Sequence, residues 1–563
     1  MTSSLTTPVL IVGAGPTGLT AAIALANKGV KVRVIDSAEG AHSGARGTAI
    51  MPRTQELLAI LGVQPALASL ATPPLQMAVY DPEDGKRILR TFEWSEAAPV
   101  HPTIPFSQPA SIAQCELENI LRRHLLEAHA VQVEWGCKLV GIRQDDKVVV
   151  TTVHPASPGV PVRDIESEYL IAADGGHGSS RAILGLSFLG ETKTADRMWS
   201  ATVEVPGFSR EYWHRWGDFA TAATSLKPIN PGNRFQMLTL GPNLPTDLPQ
   251  DVQGTQALFN SISQREDIKF ENASCISEWR ANIRMIDRLA VGRVFLAGDV
   301  AHCHSPAGGQ GTNTAMQDSF NLAWKLALVI LRKAVSERLL GSYEAERMPV
   351  IAEMLHLSNE LHARAFTRPT SSALGSSEST KVSDPMLRSS ELLQLGVNYR
   401  WSPIVLDHRD ASEEKQNPYG GAFDTGYEVR VGDRAPYFGG VQDLFSLLRE
   451  APSHLILFFP ATGHRAATLS TSNTQMEVVV DLRRWIEAGL INVAVIGFHS
   501  PDSTRGVQYL ADPQGVIAES YGIHGGKDPK DVLVVLRPDG VLGAYVFDVR
   551  GVDDYFSLLG VQV

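Results

Sequence analysis

Gly13, Gly15 and Gly18 lie in the run Gly13-Ala14-Gly15-Pro16-Thr17-Gly18, the spacing of a loop that cradles a pyrophosphate. Gly13 permits a tight turn, Gly15 lets the backbone approach the phosphates, and Gly18 lets the following helix pack closely. Asp36 stands where a carboxylate accepts hydrogen bonds from a ribose diol. The chemistry is dinucleotide binding, and this motif alone leaves FAD and NAD open.

Two further stretches carry polar groups at glycine turns. Tyr169-Leu-Ile-Ala-Ala runs into Asp174-Gly175-Gly176-His177-Gly178-Ser179-Ser180-Arg181. Arg293-Val-Phe-Leu-Ala ends in Gly298-Asp299, followed by His302, Cys303 and His304 and then Pro306-Ala307-Gly308-Gly309-Gln310-Gly311-Thr312-Asn313. A glycine-rich loop feeding the N-terminus of a buried helix is an anion site. His302-Cys303-His304 lacks the spacing of a zinc site, so no metal is expected.

These residues need elements to hold them. Pro8 to Val12 reads as a strand buried on both faces, Leu19 to Lys28 as an amphipathic helix, and Val30 to Ile35 as a second strand. Thr314 to Leu331 is apolar on most faces and reads as a deeply buried helix. The chain is an ordinary globular mixture of 563 residues, 44% hydrophobic and 20% charged. At about 150 residues per domain, that length suggests roughly three to four domains. Its net charge of −11 argues against a nucleic-acid partner. Four scattered cysteines without a CxxC fit a reducing, cytoplasmic setting rather than a disulfide framework. No apolar run reaches the roughly 20 residues of a spanning helix. The amino-terminal run reads as a strand and not as a signal peptide.

Together GAGPTGL, AADGGHGSSR and GRVFLAGDVAH…PAGGQGTNTAMQDSFNLAWKL resemble the group A flavin-dependent aromatic hydroxylases, the family of para-hydroxybenzoate, phenol and polyketide hydroxylases. Gly44-Ala45-Arg46, Pro52-Arg53-Thr54, Gln114-Cys-Glu-Leu-Glu118 and Ser342-Tyr-Glu-Ala-Glu-Arg347-x-Pro349 extend the resemblance over roughly the first 365 residues. Three positions depart from it. Asp36 stands where Glu is frequent, His177-Gly178 where Arg-Ser is frequent, and Cys303-His304-Ser305 replaces an apolar-His-Pro stretch.

The resemblance implies an α/β fold: a Rossmann-like FAD-binding domain of the glutathione-reductase type with an inserted mixed β-sheet substrate domain and a C-terminal thioredoxin-like domain. The expected boundaries are 1–185 and 285–366 for the FAD-binding domain (with a pocket-edge insertion about 75–108), 186–284 for the substrate sheet, 367–427 for a linker and 428–563 for the C-terminal domain. The implied cofactor is FAD, with NADPH or NADH as cosubstrate binding transiently near the Asp174–Arg181 loop. The expected cofactor residues are Gly13, Gly15, Gly18, Asp36, Arg46, Gln114, Asp174, Asp299, Gly309, Gly311, Thr312 and Asn313. The implied reaction is hydroxylation of a phenolic or polyketide-type aromatic ring through a C4a-hydroperoxyflavin. Epoxidation, oxidative dearomatisation or Baeyer–Villiger insertion is the alternative, and a non-catalytic dinucleotide-binding protein is a rival of a different class.

Aromatic residues crowd the 186–284 segment, as a flat substrate would require, although most single ones are expected in the core. Tyr212, His214, His304 and Pro306 are pocket candidates, and none is assigned as a base. In the C-terminal segment a thiol would be needed just after His454 to Phe459. The stretch there, 460–465, has none, and no cysteine follows Cys303. Thiol chemistry is therefore excluded there, leaving a packing or oligomer role, with a homodimer as the partner expectation.

Overall fold

A computed structural model describes residues 5–563 apart from 158, 231, 306–307, 335–336, 367–383, 385, 410–416, 422–428, 441, 462–472, 498–505, 525–529 and 562. Pro306 and residues 462–465 of the thiol-position stretch lie outside the described residues.

Three large sheets organise the described residues, beside a two-stranded pair of Ala49–Ile50 and Ala110–Ser111. In the first, Val294–Leu296, Arg163–Ala172, Leu5–Val12, Val32–Ile35 and Val133–Glu134 lie parallel in that order, with Ala290–Val291 antiparallel at one edge. An antiparallel pair, Cys137–Gln144 and Val149–Pro155, attaches to Arg163–Ala172. Val9 to Val12 are buried, as a strand covered on both faces must be. The Pro16–Asn27 and Gly311–Ile330 helices pack against each other and against this sheet.

The second sheet runs His302–Cys303, Asn272–Met285, Leu189–Glu204, Arg234–Leu240, Ala222–Pro228, Trp213–Asp218, Gln76–Tyr80, Ile88–Glu93. Its last two strands come from the 75–108 insertion, whose Gln76–Tyr80 strand pairs in parallel with Trp213–Asp218. Insertion and substrate segment therefore make one sheet.

The third sheet has the order Leu406–Asp407, Leu542–Val546, Val532–Leu536, His454–Phe459, Ile491–Ile496, Val507–Leu510. His454–Phe459 is parallel to Ile491–Ile496 and antiparallel to Val532–Leu536. Its edge strand Leu406–Asp407, and buried Leu392, Leu393, Leu395 and Tyr399, come from the 367–427 stretch. The apolar core is continuous from Val9 and Ile23 of the first unit to Leu455 and Leu457 of the third. Among the described residues, no helix is long and apolar enough to cross a membrane.

Candidate functional site

The glycine turn sits where the Leu5–Val12 strand meets the Pro16–Asn27 helix. Gly13 has φ +109°, and a Cβ there would lie 2.1 Å from the Ala173 carbonyl oxygen, so only glycine fits. A Cβ on Gly18 would lie 1.9 Å from the Gly13 carbonyl oxygen. Gly15 is different: nothing lies within 4 Å of its Cβ position. Two glycines thus close the turn and the third faces open space, as a pyrophosphate cradle requires.

Asp36 turns both oxygens to backbone, Oδ2 accepting from Ala14 N at 2.7 Å and Oδ1 from Ala38 N at 2.8 Å, which fixes it beside the turn. Asp174 follows the Arg163–Ala172 strand; its backbone N lies 3.0 Å from the Cβ position of Gly13, and its carboxyl rests on Gly178. Its Oδ2 accepts from Ser180 N (2.9 Å) and Ser180 Oγ (2.8 Å). Its Oδ1 is buried with no partner among the described residues, and burial raises its pKa despite the Ser180 bonds. An orphaned buried acceptor in a glycine loop next along the sheet from the Gly13 turn fits the hydroxyls and amides of a dinucleotide cofactor. Arg181 donates to the Val300 and Gly176 carbonyls and lies 3.8 Å from the Phe188 ring centroid, so it braces the loop. Asp299 is exposed on the Gly298–Val300 turn.

The Gly311–Ile330 helix begins without a side-chain cap, as does Pro16–Asn27, which leaves first-turn N–H groups for a ligand. The His304 ring rests on Gly311, since a Cβ there would lie 2.0 Å from His304 Nε2. His304 Nδ1 lies 2.7 Å from the Ser305 carbonyl oxygen, and burial lowers the His304 pKa. A carbonyl only accepts, so Nδ1 carries the hydrogen. Asn313 is spent on backbone: Oδ1 accepts from Met51 N, and Nδ2 donates to the Ala49 and Gly309 carbonyls. It ties the glycine loop to the 49–51 segment. Thr312 Oγ1 and Gln114 Oε1 lie 3.0 and 3.7 Å from the Cβ position of Gly47, which gathers them with Arg46. Gln114 Nε2 also donates to Glu118 Oε1 at 2.8 Å, and Arg46 is exposed.

Strand alternation sorts the aromatics of the second sheet. Trp199, His214, Trp216, Leu226 and Phe235 share one face, and all but His214 join a core that includes Phe259 of the Val252–Ser263 helix. His214 is buried on that face between Tyr80, Phe208 and Trp216. Its Nε2 donates to the Ser209 carbonyl at 2.9 Å, so its Nδ1 accepts from Tyr80 OH at 2.8 Å. Burial pulls its pKa down to about 4. It is a satisfied, neutral core histidine, and its neighbour Tyr212 packs edge-on against it. Of the four pocket candidates, Tyr212 and His214 thus pack on the core face, while His304 lies against Gly311.

The opposite face carries Trp213, Arg215, Ser225, Lys227 and Gln236. Gln236 Nε2 donates to the Arg46 carbonyl at 2.7 Å, so this face looks onto the first unit. Lys227, absent from the sequence-based candidates, was detectable as a lone cation in the run AATSLKP. Which way it points needed the register with Gln236. A cleft of ≈ 490 Å³ lined by Glu93, Glu96, Pro99, Gln108 and Ser390 opens at the insertion, with no glycine-segment residue in its wall.

The parallel sheet, the glycine turn and the orphaned Asp174 oxygen define a dinucleotide-dependent α/β protein. Residues 6–358 match the family described as FAD binding domain, and the chain belongs to that family. It is 35% identical over 460 residues to a flavin-dependent monooxygenase of Mycobacteroides abscessus, covering 80% of this chain and 88% of that one. It is 30% identical over 556 residues to the 6-methylpretetramide 4-monooxygenase of Streptomyces rimosus, covering 95% and 90%. The solved structure of an aklavinone-11 hydroxylase with FAD and aklavinone superposes with a TM-score of 0.73 at 23% identity, over 99% of this chain and 100% of that one. The chain is an FAD-dependent monooxygenase of the group A aromatic-hydroxylase type, a group in which NAD(P)H use is typical.

Proposed function

We propose that this monooxygenase hydroxylates a phenolic or polyketide-type aromatic substrate, spending NADH or NADPH and O2. The observation that carries the reading is the sheet face of Trp213, Lys227 and Gln236 turned toward the glycine segments, an aromatic and polar wall suited to a flat oxygenated ring. The near full-length likeness to a 6-methylpretetramide 4-monooxygenase supports the substrate class.

When bound, FAD supplies hydride acceptance and the transfer of one oxygen atom. The chain's own work is placement. Gly13 to Gly18 and Asp36 would hold the pyrophosphate and ribose. Asp174 and Asp299 would accept from cofactor hydroxyls. Arg46, Gln114 and the Gly309–Asn313 helix start would border the flavin ring, the helix start stabilising negative charge that grows there on reduction. The substrate sheet would exclude water.

The third unit supports a thioredoxin-like reading, since a β-α-β pair is followed by a hairpin and a closing helix, Val549–Leu558. Without a cysteine after Cys303 it would act by packing, within this chain or against a second copy. The four free cysteines suit a cytoplasmic setting.

The test uses purified protein. It should be yellow, and its NAD(P)H oxidation should rise when an acceptor is supplied from a panel of polyphenols and aromatic polyketides. Mass spectrometry under labelled O2 should show a gain of one labelled oxygen. A colourless protein that takes up no FAD, or products without label, would overturn the reading.

A further inference from the structure

Lys227 is buried in the second sheet, with 4% of its surface exposed. Its ammonium nitrogen lies 4.8 Å from the Trp213 ring centroid and 5.4 Å from that of Trp94. One oxygen meets it, Thr48 Oγ1 at 3.1 Å, and that hydroxyl donates onward to Gln236 Oε1 at 3.3 Å. No carboxylate among the described residues forms an ion pair with it. The charged groups on neighbouring elements are engaged elsewhere or exposed. Arg215 on the same face pairs with Asp384 at 2.8 Å, Glu93 beside Trp94 accepts from Gln76, and Arg46 on the Thr48 segment is exposed.

Burying a lysine without a carboxylate favours the neutral amine, and a neutral amine is a base. Burial draws its pKa down to about 7. The surroundings are rich in donors. Trp213 Nε1 and Arg215 Nε, on the same face, are buried with no acceptor among the described residues. Buried donors without acceptors mark a place where a partner rich in oxygen acceptors belongs. Lys227 also stands beside the first unit's machinery. Thr48 follows Gly47, whose Cβ position is 3.0 Å from Thr312 Oγ1 at the start of the buried helix. Ala49 packs against the cluster of Met77, Trp94 and Trp213, and its carbonyl accepts from Asn313.

We propose that Lys227 is the acid–base residue for the substrate: its amine takes the proton from a phenolic or enolic hydroxyl, and the resulting ammonium holds the oxyanion while Trp213 and Trp94 flank it. The step breaks one O–H bond and forms one N–H bond. Charge balances as one phenolate and one ammonium, and no redox partner is needed. Ionisation raises electron density on the ring, which is what an electrophilic oxygen donor requires. This inference rests on the phenolic-substrate reading above and adds the residue that reading lacks.

Two measurements test it on the holoenzyme. The first is trace acetylation with acetic anhydride, mapped by mass spectrometry. Lys227 should acetylate near neutral pH, ahead of the surface lysines, and alizarin should protect it. No acetylation of Lys227 at a pH where surface lysines are saturated would show that it is closed in the core, and would overturn the proposal. The second is the visible spectrum of bound alizarin, whose phenolate absorbs to the red of the flavin. At a pH one unit below alizarin's own ionisation, the wild-type complex should carry the phenolate band. Lys227→Met should bind alizarin as the neutral phenol, with its ionisation raised by about one unit or more, a tenfold shift. Lys227→Arg should restore the phenolate band, because the cation remains. An unchanged phenolate fraction in Lys227→Met would overturn the proposal. Flavin content, read in the same spectra, separates this failure from that of the FAD reading, which would leave the wild type colourless.

Discussion

Arg537 of the C-terminal unit forks onto Glu346 of the Glu337–Phe366 helix, Nη1 to Oε1 at 2.8 Å and Nη2 to Oε2 at 2.9 Å, with both side chains fully buried. Lys325 Nζ reaches the same Oε2 at 2.8 Å, and Ser402 Oγ donates to Oε1 at 2.6 Å. The next residue, Arg347, turns the other way and donates through Nε to Asp318 Oδ1 at 2.7 Å. Asp318 Oδ2 lies 2.7 Å from His302 Nε2 and accepts from the Gly298 backbone N–H at 3.2 Å. The Glu346–Arg347 dipeptide therefore couples the C-terminal unit, through two buried ion pairs facing opposite ways, to the turn that carries Asp299.

The first prediction follows from that burial. Removing one partner of a buried pair leaves the others uncompensated, at a cost of about 3–5 kcal/mol. Glu346→Ala leaves Lys325 without a carboxylate while Arg537 keeps Asp539, and Arg537→Met leaves Glu346 with Lys325 but takes the guanidinium from buried Asp539. Denaturant titration should find both variants destabilised on this scale, since each leaves one buried charge without its ion-pair partner. Burial alone would raise the Glu346 pKa, but Arg537 and Lys325 hold it well below the usual 4.5. Its stabilisation is present above pH 4.5 and is lost as pH falls below that value, a loss that Glu346→Ala should not show.

The three glycines of the turn predict different failures. Gly18→Ala meets the Gly13 carbonyl at 1.9 Å, and Gly13→Ala meets that of Ala173 at 2.1 Å, so both should lower the melting temperature. Gly15→Ala meets nothing within 4 Å. It should melt within about 0.5 kcal/mol of wild type and still lose FAD, because its methyl enters the space left for the pyrophosphate. Thermal melts of the FAD-stripped proteins, set beside the ratio of flavin to protein absorbance, check this. Full flavin occupancy in Gly15→Ala would move the cradle elsewhere.

His214 predicts an acid-stability slope. Its folded pKa, about 4, is depressed from 6.5 by burial, so the unfolded chain takes up its proton first as pH falls. Stability is therefore lost between about pH 6.5 and 4, by up to about 3 kcal/mol from this residue. His454, buried against Tyr555 and drawn down to about 3, acts in the same sense over a wider window. His214→Gln should flatten its share of the slope and leave flavin content unchanged, as a residue on the core face must. Loss of flavin from that variant would return His214 to the site.

The turn was legible in the sequence because Gly13, Gly15, Gly18 and Asp36 act locally, within one strand–helix–strand unit. The Leu5–Val12 and Val32–Ile35 strands were legible for the same reason, as the short runs Pro8 to Val12 and Val30 to Ile35. What the sequence hides is parity between strands. Trp213 and His214 are neighbours, yet only register with Leu226 and Gln236 decides which faces the core. The resemblance carried Glu346 and Arg347 as part of a motif, but their partners Arg537 and Asp318 are set by tertiary contacts. Lys227 was hidden similarly, since nothing local shows that its strand turns it onto two indoles.

Asp174 yields the last prediction, in which apo stability and cofactor affinity move in opposite directions. Its carboxylate is largely buried, with Oδ2 on Ser180 and Oδ1 without a partner, and burial raises its pKa above 3.8. A raised carboxylate pKa means that the folded chain binds the proton more tightly, so stability falls as pH rises through that pKa. Asp174→Asn keeps an acceptor for Ser180 and removes the buried charge, so the FAD-stripped variant should be more stable than wild type at neutral pH and lack that slope. With FAD the order reverses, because the amide offers a donor where a cofactor hydroxyl or N–H needs an acceptor. A lost buried hydrogen bond of this kind costs about 1–3 kcal/mol, roughly a tenfold or greater loss of affinity. Melting curves with and without added FAD measure both effects, since ligand stabilisation scales with affinity. Equal stabilisation of wild type and Asp174→Asn by FAD would show that Oδ1 meets no part of the cofactor, and would assign its burial to the loop alone.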